Sequence, residues 1–138
     1  MDRLRGVPGE QIEKIKQVLN QCLEKENDIL FAYLHGSFAE GRPFRDIDIA
    51  VFVEEAKLPK EKPLDFEISL SIKLEETIKM PIDVKVINYA PLAFQYFSTA
   101  GVVLMCREDD LRVDFLTKMR SLYLDFKFSV EKFRKEMG

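Results

Sequence analysis

The chain has 138 residues and a formal net charge of −3, which suits a single domain of residues 1–138 with its own hydrophobic core. The slight acidity argues against direct nucleic-acid binding, because a surface that follows a phosphate backbone usually carries a basic excess. The sequence has no run of the roughly 20 apolar residues that span a membrane and no apolar signal segment, so we expect a cytoplasmic protein with no membrane partner.

The first half of the chain predicts one helix and two strands. Apolar residues recur at helical spacing over residues 12–23 and predict an amphipathic helix. Residues 30–34 predict a buried strand that enters a tight turn at Gly36, and a second strand is expected over residues 46–53. We expect His35, the only histidine, to pack its ring at the end of the first strand or to bond the backbone nearby.

The second half predicts three more helices and two strands. Residues 54–63 hold two prolines among charged residues and predict an exposed connection. A helix over 64–78 ends before Pro81, a strand covers 82–87, and Asn88 is expected to cap a helix that Gly101 terminates. A strand over 102–106 precedes one long helix from about residue 108.

The resulting order, α-β-β-α-β-α-β-α, predicts an α/β (α+β) fold in which a mixed sheet of about four strands is flanked by helices. In the last helix, residues 115–126 are expected to pack on the sheet. The outer apolar positions Val130, Phe133 and Met137 are expected to offer a stripe to a partner.

Two carboxylates follow a small-residue turn on the second strand. Asp46 and Asp48 are two residues apart, so on a strand they project from one face with Cα atoms roughly 6.5 Å apart. Two such anions at about 5 Å repel by on the order of 3 kcal/mol at an effective dielectric near 20. Because a divalent cation would convert this repulsion into affinity, the pair predicts a metal site.

A third carboxylate, Asp83, lies between Ile82 and Val84 in the predicted strand. A charge in a central strand is costly unless it has a ligand or a partner. Asp83 shares its strand face with Lys85, so two interpretations stay open. Asp83 either completes the metal site or forms a salt bridge with a nearby cation.

The turn and loop before the carboxylates predict contacts with phosphate. Glycine lets the backbone approach a ligand closely, and a serine hydroxyl can hold phosphate oxygens beside backbone N–H groups. The arginines could donate charge-assisted hydrogen bonds to a triphosphate, or they could simply pair with Glu40 or Asp46. The predicted nucleotide-binding residues are Gly36, Ser37, Gly41, Arg42 and Arg45.

These motifs resemble the nucleotidyltransferase superfamily that includes polymerase beta. At this length the chain is most similar to the minimal nucleotidyltransferase (MNT) antitoxins of HEPN/MNT toxin-antitoxin pairs. The resemblance extends to residues 82–91, which read Ile-Asp-Val-Lys-Val-Ile-Asn-Tyr-Ala-Pro, and to residues 120–126 of the last helix. The chain departs from the family in a shorter loop, with eight residues between Ser37 and Asp46, in Arg45 before the first Asp, and in Glu40 before the second glycine.

The resemblance implies an enzyme that transfers AMP from ATP to a tyrosine hydroxyl of a cognate HEPN ribonuclease toxin. It implies Mg²⁺, with two ions held by Asp46, Asp48 and Asp83. Two alternatives stay open: an antitoxin that neutralises the toxin by binding alone, which the loop departures would favour, and a nucleotidyltransferase that acts on a small molecule.

Overall fold

The computed structural model describes residues 6, 8–58 and 63–138. The elements in chain order are α1 (Gly9–Glu24), β1 (Ile29–His35), α2 (Gly36–Ala39), β2 (Ile47–Val53), a 3-10 turn (Glu55–Lys57), α3 (Pro63–Ile78), β3 (Ile82–Val86), α4 (Leu92–Ser98), β4 (Val102–Cys106) and α5 (Asp109–Met137). The predicted order is confirmed, with one addition: a short helix, α2, stands where a tight turn was expected. Part of the predicted connection at 54–63 lies outside the described residues.

The four strands form one mixed sheet in the order β3-β2-β1-β4. β1 pairs antiparallel with β2 and β4, whereas β2 and β3 run parallel. The predicted mixed four-stranded sheet flanked by helices is therefore confirmed. The carboxyl end of β1 and the amino ends of β2 and β3 meet at one end of this sheet.

Each face of the sheet has its own apolar cluster, because side chains alternate along a strand. The first face packs on α1 and α3 through a cluster that includes Leu19, Leu23, Leu34, Ile49, Val51, Leu70, Leu74 and Val84. The second face packs on α4 and α5 through Phe31, Tyr33, Ala50, Phe52, Ile87, Leu116 and Met119. By this alternation Asp48, two residues before Ala50, belongs to the second face.

Helix α5 packs on the sheet over less of its length than the sequence predicted. Leu116 and Met119 are buried, but Leu122 and Phe126 are each 61% exposed. A helix of 29 residues is about 43 Å long, whereas a seven-residue strand covers only about 23 Å, so the outer turns have no sheet beneath them. In the described ranges no helix, α5 included, is both long and apolar enough to cross a bilayer.

Asn88 does not cap α4, contrary to the prediction. The helix begins at Leu92 after Pro91. The side chain of Asn88 instead bridges the end of β2: its Oδ1 accepts from the N–H of Val53 at 2.9 Å, and its Nδ2 donates to the carbonyl of Val53 at 2.6 Å. Asn88 therefore extends the pairing between β2 and the chain that leaves β3.

Gly101 does not terminate α4 either. The helix ends at Ser98, with Thr99 as its C-cap. A Cβ at position 101 would lie 2.1 Å from the carbonyl oxygen of Leu34, a distance at which real atoms clash. The glycine is therefore required where the chain enters β4 against the backbone of β1.

The outer edge of β3 is covered by side chains of α3. Its alternate N–H groups donate as follows: Ile82 to Glu75 Oε1 at 2.9 Å, Val84 to Ser71 Oγ at 3.3 Å and Val86 to Glu67 Oε2 at 2.7 Å. The two spacings match, because four helical residues rise about 6 Å and two strand residues about 6.6 Å. Helix α3 thus blocks this edge from pairing with another strand.

We expect Glu75→Ala to lower the free energy of unfolding by about 1–2 kcal/mol, because the N–H of Ile82 loses its acceptor. Glu75→Gln keeps a carbonyl oxygen at the same reach and is expected to cost less than half as much. Urea denaturation of the two variants beside the wild type measures the difference. Equal losses in both would show that the charge of Glu75, rather than its hydrogen bond, stabilises this edge.

Candidate active site

Three polar residues form one row across the sheet at the end where β2 and β3 begin. His35 is the register partner of Asp48 in the antiparallel β1–β2 pair, and Asp48 is the partner of Asp83 in the parallel β2–β3 pair. Register partners on strands about 4.8 Å apart project from the same face. The row therefore lies on the face that α4 and α5 cover.

Asp48 is the most perturbed carboxylate of the row. Burial, followed by the negative charges of Asp83 and Asp46, raises the pKa of Asp48 from 3.8 to about 6. At neutral pH Asp48 is therefore ionised at a cost in free energy, and a bound cation would offset that cost. Its oxygen donors are of the hard type that Mg²⁺ prefers, so the chemistry of the carboxylates fits the predicted metal.

The carboxylates do not already converge as a cation cage. Among the described residues, no group of three or more His, Cys, Asp or Glu side chains is arranged to hold a metal ion. Asp46 precedes β2 and is exposed, and the Asp83 side chain is 47% exposed and lies 3.9 Å from Lys85 Nζ. Metal binding by Asp46, Asp48 and Asp83 stays a prediction.

Asp83 occupies an edge strand, and the assumption of a central strand was wrong. β3 is the last strand of the sheet, so Asp83 reaches solvent and does not need a ligand to be tolerated. Its ion pair with Lys85 is the alternative that the sequence left open. The register nevertheless places the charge of Asp83 beside the half-buried carboxylate of Asp48, and this charge contributes to the raised pKa of Asp48.

Gly36 lies directly against Asp48, and Ser37 shares a cavity with Asp46 and Asp48. Gly36 begins α2 with a φ of +80°, and a Cβ there would lie 2.4 Å from Asp48 Oδ2. Only glycine permits both the backbone angle and the close approach. A cavity of about 290 Å³ next to this turn is lined by Ser37, Pro43, Phe44, Arg45, Asp46 and Asp48. The structure thus brings Ser37 and Arg45 together with two of the predicted carboxylates.

Gly41 and Arg42 lie away from this cavity. The Arg42 guanidinium donates to Glu40 through Nε at 3.1 Å and also through Nη2, which is the pairing that the sequence left open. Both residues line a separate cavity beside Phe38. Gly41 has a φ of +73°, so its role in turning the loop agrees with the structure, but neither residue lines the cavity of Asp46 and Asp48.

His35 packs as the sequence predicted. Its ring meets that of Phe94 edge-on, with centroids 5.5 Å apart. Burial lowers the pKa of His35, and the negative charge of Asp83 opposes that shift. The Nε2 atom is buried and has no hydrogen-bond partner in the described part of the chain. The His35 ring lies at one end of the row.

A second cavity beside the row was not predicted. It measures about 400 Å³ and is lined by Pro63, Glu67, Lys85, Val86, Tyr89, Ala90, Pro91 and Phe94. Because side chains alternate along a strand, the sequence did place Lys85 on the same face as Asp83, which was its one indication of this cavity. The other walls come from α3 and α4, which only the folded chain brings together.

Comparison with known proteins identifies the family. The sequence profile described as polymerase beta, nucleotidyltransferase matches residues 13–110, well over half of the chain. The chain belongs to the polymerase beta nucleotidyltransferase family. The matched segment contains the Gly36–Ser37 turn and all three carboxylates. No curated protein sequence gives a significant match.

Solved structures share the same fold. The chain is similar to one in the complex of tri-AMPylated Shewanella oneidensis HEPN toxin with MNT antitoxin, with 18% identity, a TM-score of 0.67 and coverage of 91% of this chain and 98% of that chain. It also resembles a chain of a toxin-antitoxin solved with AMP-PNP, with 20% identity, a TM-score of 0.67 and coverage of 89% and 97%. A chain of the toxin-antitoxin MntA-HepT matches with 17% identity, a TM-score of 0.66 and coverage of 91% and 97%. The predicted likeness to MNT antitoxins is thereby confirmed at the level of the fold.

Proposed function

We propose that this nucleotidyltransferase transfers AMP from ATP to a tyrosine hydroxyl of a cognate HEPN ribonuclease toxin and so acts as its antitoxin. The observation that carries the proposal is the juxtaposition of Asp48 with Asp83, Asp46 and the Gly36–Ser37 turn in a nucleotidyltransferase fold. The similar solved structures include a toxin described as tri-AMPylated and a complex with AMP-PNP, which supports both the donor and the type of acceptor.

The reaction exchanges a phosphoanhydride bond of ATP for a phosphoester bond to the acceptor. The acceptor oxygen forms a bond to the α-phosphorus of ATP while the bond between that phosphorus and the pyrophosphate oxygen breaks. The acceptor hydroxyl releases its proton to solvent, and pyrophosphate leaves. Such a transfer depends mainly on positioning and on stabilisation of charge, which is what a rigid row of side chains on a sheet can provide.

The residues of the row have distinct expected roles. Ser37 and Arg45, on the walls of the smaller cavity, would bind the phosphates that leave. Asp46, Asp48 and Asp83 would hold Mg²⁺, which supplies activation of the attacking oxygen and neutralisation of the leaving group. His35 and Phe94 would exclude water from one side of the row.

The partner would dock on the exposed part of α5. Leu122, Phe126, Phe133 and Met137 are each at least 59% exposed and follow one another at intervals of four or seven residues, so they lie along one side of the helix. An apolar stripe of this kind on a helix is typical of a surface that another protein covers. The stripe continues the buried positions of α5, so it leads from the second sheet face to solvent.

The direct test is to incubate the protein with ATP and Mg²⁺, with and without the protein encoded next to it, and to weigh both intact by mass spectrometry. We expect one or more AMP groups on the partner and none with the double variant Asp46→Asn, Asp48→Asn. Asp110→Asn, an exposed carboxylate at the start of α5, is the matched control and should leave transfer unchanged.

The binding-only antitoxin is the second candidate, and the ion pair between Arg42 and Glu40 favours it. The ion pair occupies the guanidinium of Arg42, which could otherwise bind a triphosphate. A partner that stays unmodified with wild-type protein, yet co-elutes with it and loses ribonuclease activity, would establish this second function and overturn the first.

A further inference from the structure

The larger cavity adjoins the carboxylate row at two points. Lys85 lines the cavity and its Nζ lies 3.9 Å from Asp83 Oδ1. Phe94 lines it as well and touches His35, at the other end of the row, with ring centroids 5.5 Å apart. A group inside this cavity would therefore be next to the atoms proposed to carry the reaction.

Along the strands, the lining residues of the two cavities fall on different sides of the row: Arg45 and Asp46 precede Asp48, whereas Lys85 and Val86 follow Asp83. The cavity of Ser37 and Arg45 lies beyond the end of the sheet, where β1 passes into α2. The cavity of Lys85 and Val86 lies in the other direction, toward the carboxyl end of β3. Along the strands, the polar cavity is thus on the Asp46 side of the row, and the more apolar cavity is on the Lys85 side.

An in-line transfer needs this arrangement. The attacking oxygen and the leaving pyrophosphate must stand on opposite sides of the α-phosphorus. If Ser37 and Arg45 hold the leaving phosphates, the acceptor has to approach from the side of Asp83 and Lys85. The position of the larger cavity thus suits the acceptor and not the triphosphate.

The walls of this cavity suit an aromatic side chain. Tyr89 and Phe94 contribute rings, and Pro63, Ala90 and Pro91 contribute small apolar surfaces. The Glu67 carboxylate is engaged by the N–H of Val86 at 2.7 Å. The charge nearest to the carboxylate row is therefore the ammonium of Lys85.

We propose that this cavity receives the side chain of an acceptor tyrosine and delivers its hydroxyl to the carboxylate row. The ring would pack among apolar and aromatic walls. The Lys85 ammonium would stabilise the negative charge that develops on the phenolic oxygen as its proton leaves and its bond to the α-phosphorus forms. The assignment rests on the proposed function and names the place where its acceptor binds.

The test fills the cavity without touching the row. Ala90→Phe places a ring inside the cavity, and Ala93→Phe places the same ring on the exposed side of α4, outside the cavity lining. Two readouts are taken on the full chain: chemical-shift changes of the ¹⁵N-labelled protein on titration with N-acetyl-tyrosinamide, and AMP transfer from ATP to the protein encoded next to it. ATP affinity and melting temperature are measured for each variant, and Ala90→Leu replaces Ala90→Phe if the latter does not fold.

We expect N-acetyl-tyrosinamide to shift the amides of Lys85, Tyr89 and Phe94 saturably in the wild type and in Ala93→Phe, and N-acetyl-serinamide to leave them unchanged. Ala90→Phe should weaken this binding and slow AMP transfer at least tenfold, with ATP affinity changed by less than twofold. The assignment would be overturned if Ala90→Phe transferred AMP at the wild-type rate. It would also be overturned if N-acetyl-tyrosinamide caused no shifts, or shifted other amides but not these three. Specific tyrosinamide binding without AMP transfer by the wild type would retain the acceptor cavity and reject the proposed transferase.

Discussion

Asp48→Asn is expected to make the ligand-free protein more stable while it abolishes AMP transfer. Burial and the charges of Asp83 and Asp46 raise the pKa of Asp48 to about 6 in the folded state, above the ordinary value of 3.8. The folded protein therefore binds a proton at Asp48 more tightly than the unfolded chain does. The stability that this protonation gives is present below about pH 4 and is lost as the pH rises through about 6. The neutral amide of asparagine removes this penalty.

The gain in stability from Asp48→Asn should depend on pH. Because water partly screens a half-exposed carboxylate, we expect about 1–2 kcal/mol at pH 8, or roughly 3–6 °C in melting temperature, and no gain at pH 4. Thermal denaturation of Asp48→Asn and wild type across pH 4–8 measures it. A constant gain at every pH would show that the substitution acts through packing instead of through the charge of Asp48.

Magnesium should reverse the order of stability. A ligand that binds only the folded state raises its stability by mass action, so millimolar Mg²⁺ is expected to raise the melting temperature of the wild type at pH 8 and to leave that of Asp48→Asn unchanged. Equal shifts in both proteins would contradict a metal site at Asp48. AMP transfer by Asp48→Asn should fall by at least about 100-fold, because the variant removes a charge from the centre of the row.

Gly36→Ala is expected to reduce AMP transfer by at least about 100-fold, and Gly41→Ala by less than about threefold. Both glycines have positive φ angles, +80° and +73°, so each substitution should lower stability by about 1–2 kcal/mol through backbone strain alone. Only at Gly36 would the new Cβ strike Asp48, at 2.4 Å from its Oδ2, whereas nothing lies within 4 Å of a Cβ at Gly41. Gly41→Ala is thus the matched control for strain.

Steady-state transfer rates and urea denaturation of the two variants separate displacement of Asp48 from general loss of stability. Similar stability losses with a large loss of transfer only in Gly36→Ala would support a close packing of the turn on the carboxylate. If Gly36→Ala kept the wild-type rate, the position of Asp48 against the turn would not matter for transfer. If Gly41→Ala lost transfer as severely, the loop would have a role that its position does not explain.

The sequence by itself determined the order of the long elements and the motif that identifies the family. Period-two alternation predicted a common strand face for Asp46 and Asp48 and another for Asp83 and Lys85, because side-chain direction along a strand is a local property. In the structure Asp46 precedes β2, so only the second pair lies within one strand. Helical spacing predicted α1, α3 and α5, since amphipathic patterns carry their period within one segment. The three carboxylates and the Gly36–Ser37 turn were recognised for the same reason: each motif is local.

Only the tertiary structure decided what each residue meets. Asn88 and Gly101 carry ordinary helix-cap signals, yet one bridges Val53 and the other allows close approach to Leu34. Both contacts join segments that are distant in the chain, so no local pattern could reveal them. The strand order likewise placed Asp83 at an edge, and only the β1–β2–β3 register aligned His35, Asp48 and Asp83 in one row.

The second cavity, beside the candidate site, is another feature that no local sequence pattern could reveal. Its walls come from α3, β3 and the start of α4, and the sequence could name Lys85 only as a neighbour of Asp83 on one strand. A cavity is the space that packing leaves between elements, so it depends on how helices settle on the sheet and not on any one segment's pattern. The sequence therefore determined the motif that identifies the family, and the packing of α3 and α4 beside β3 decided where the second cavity lies.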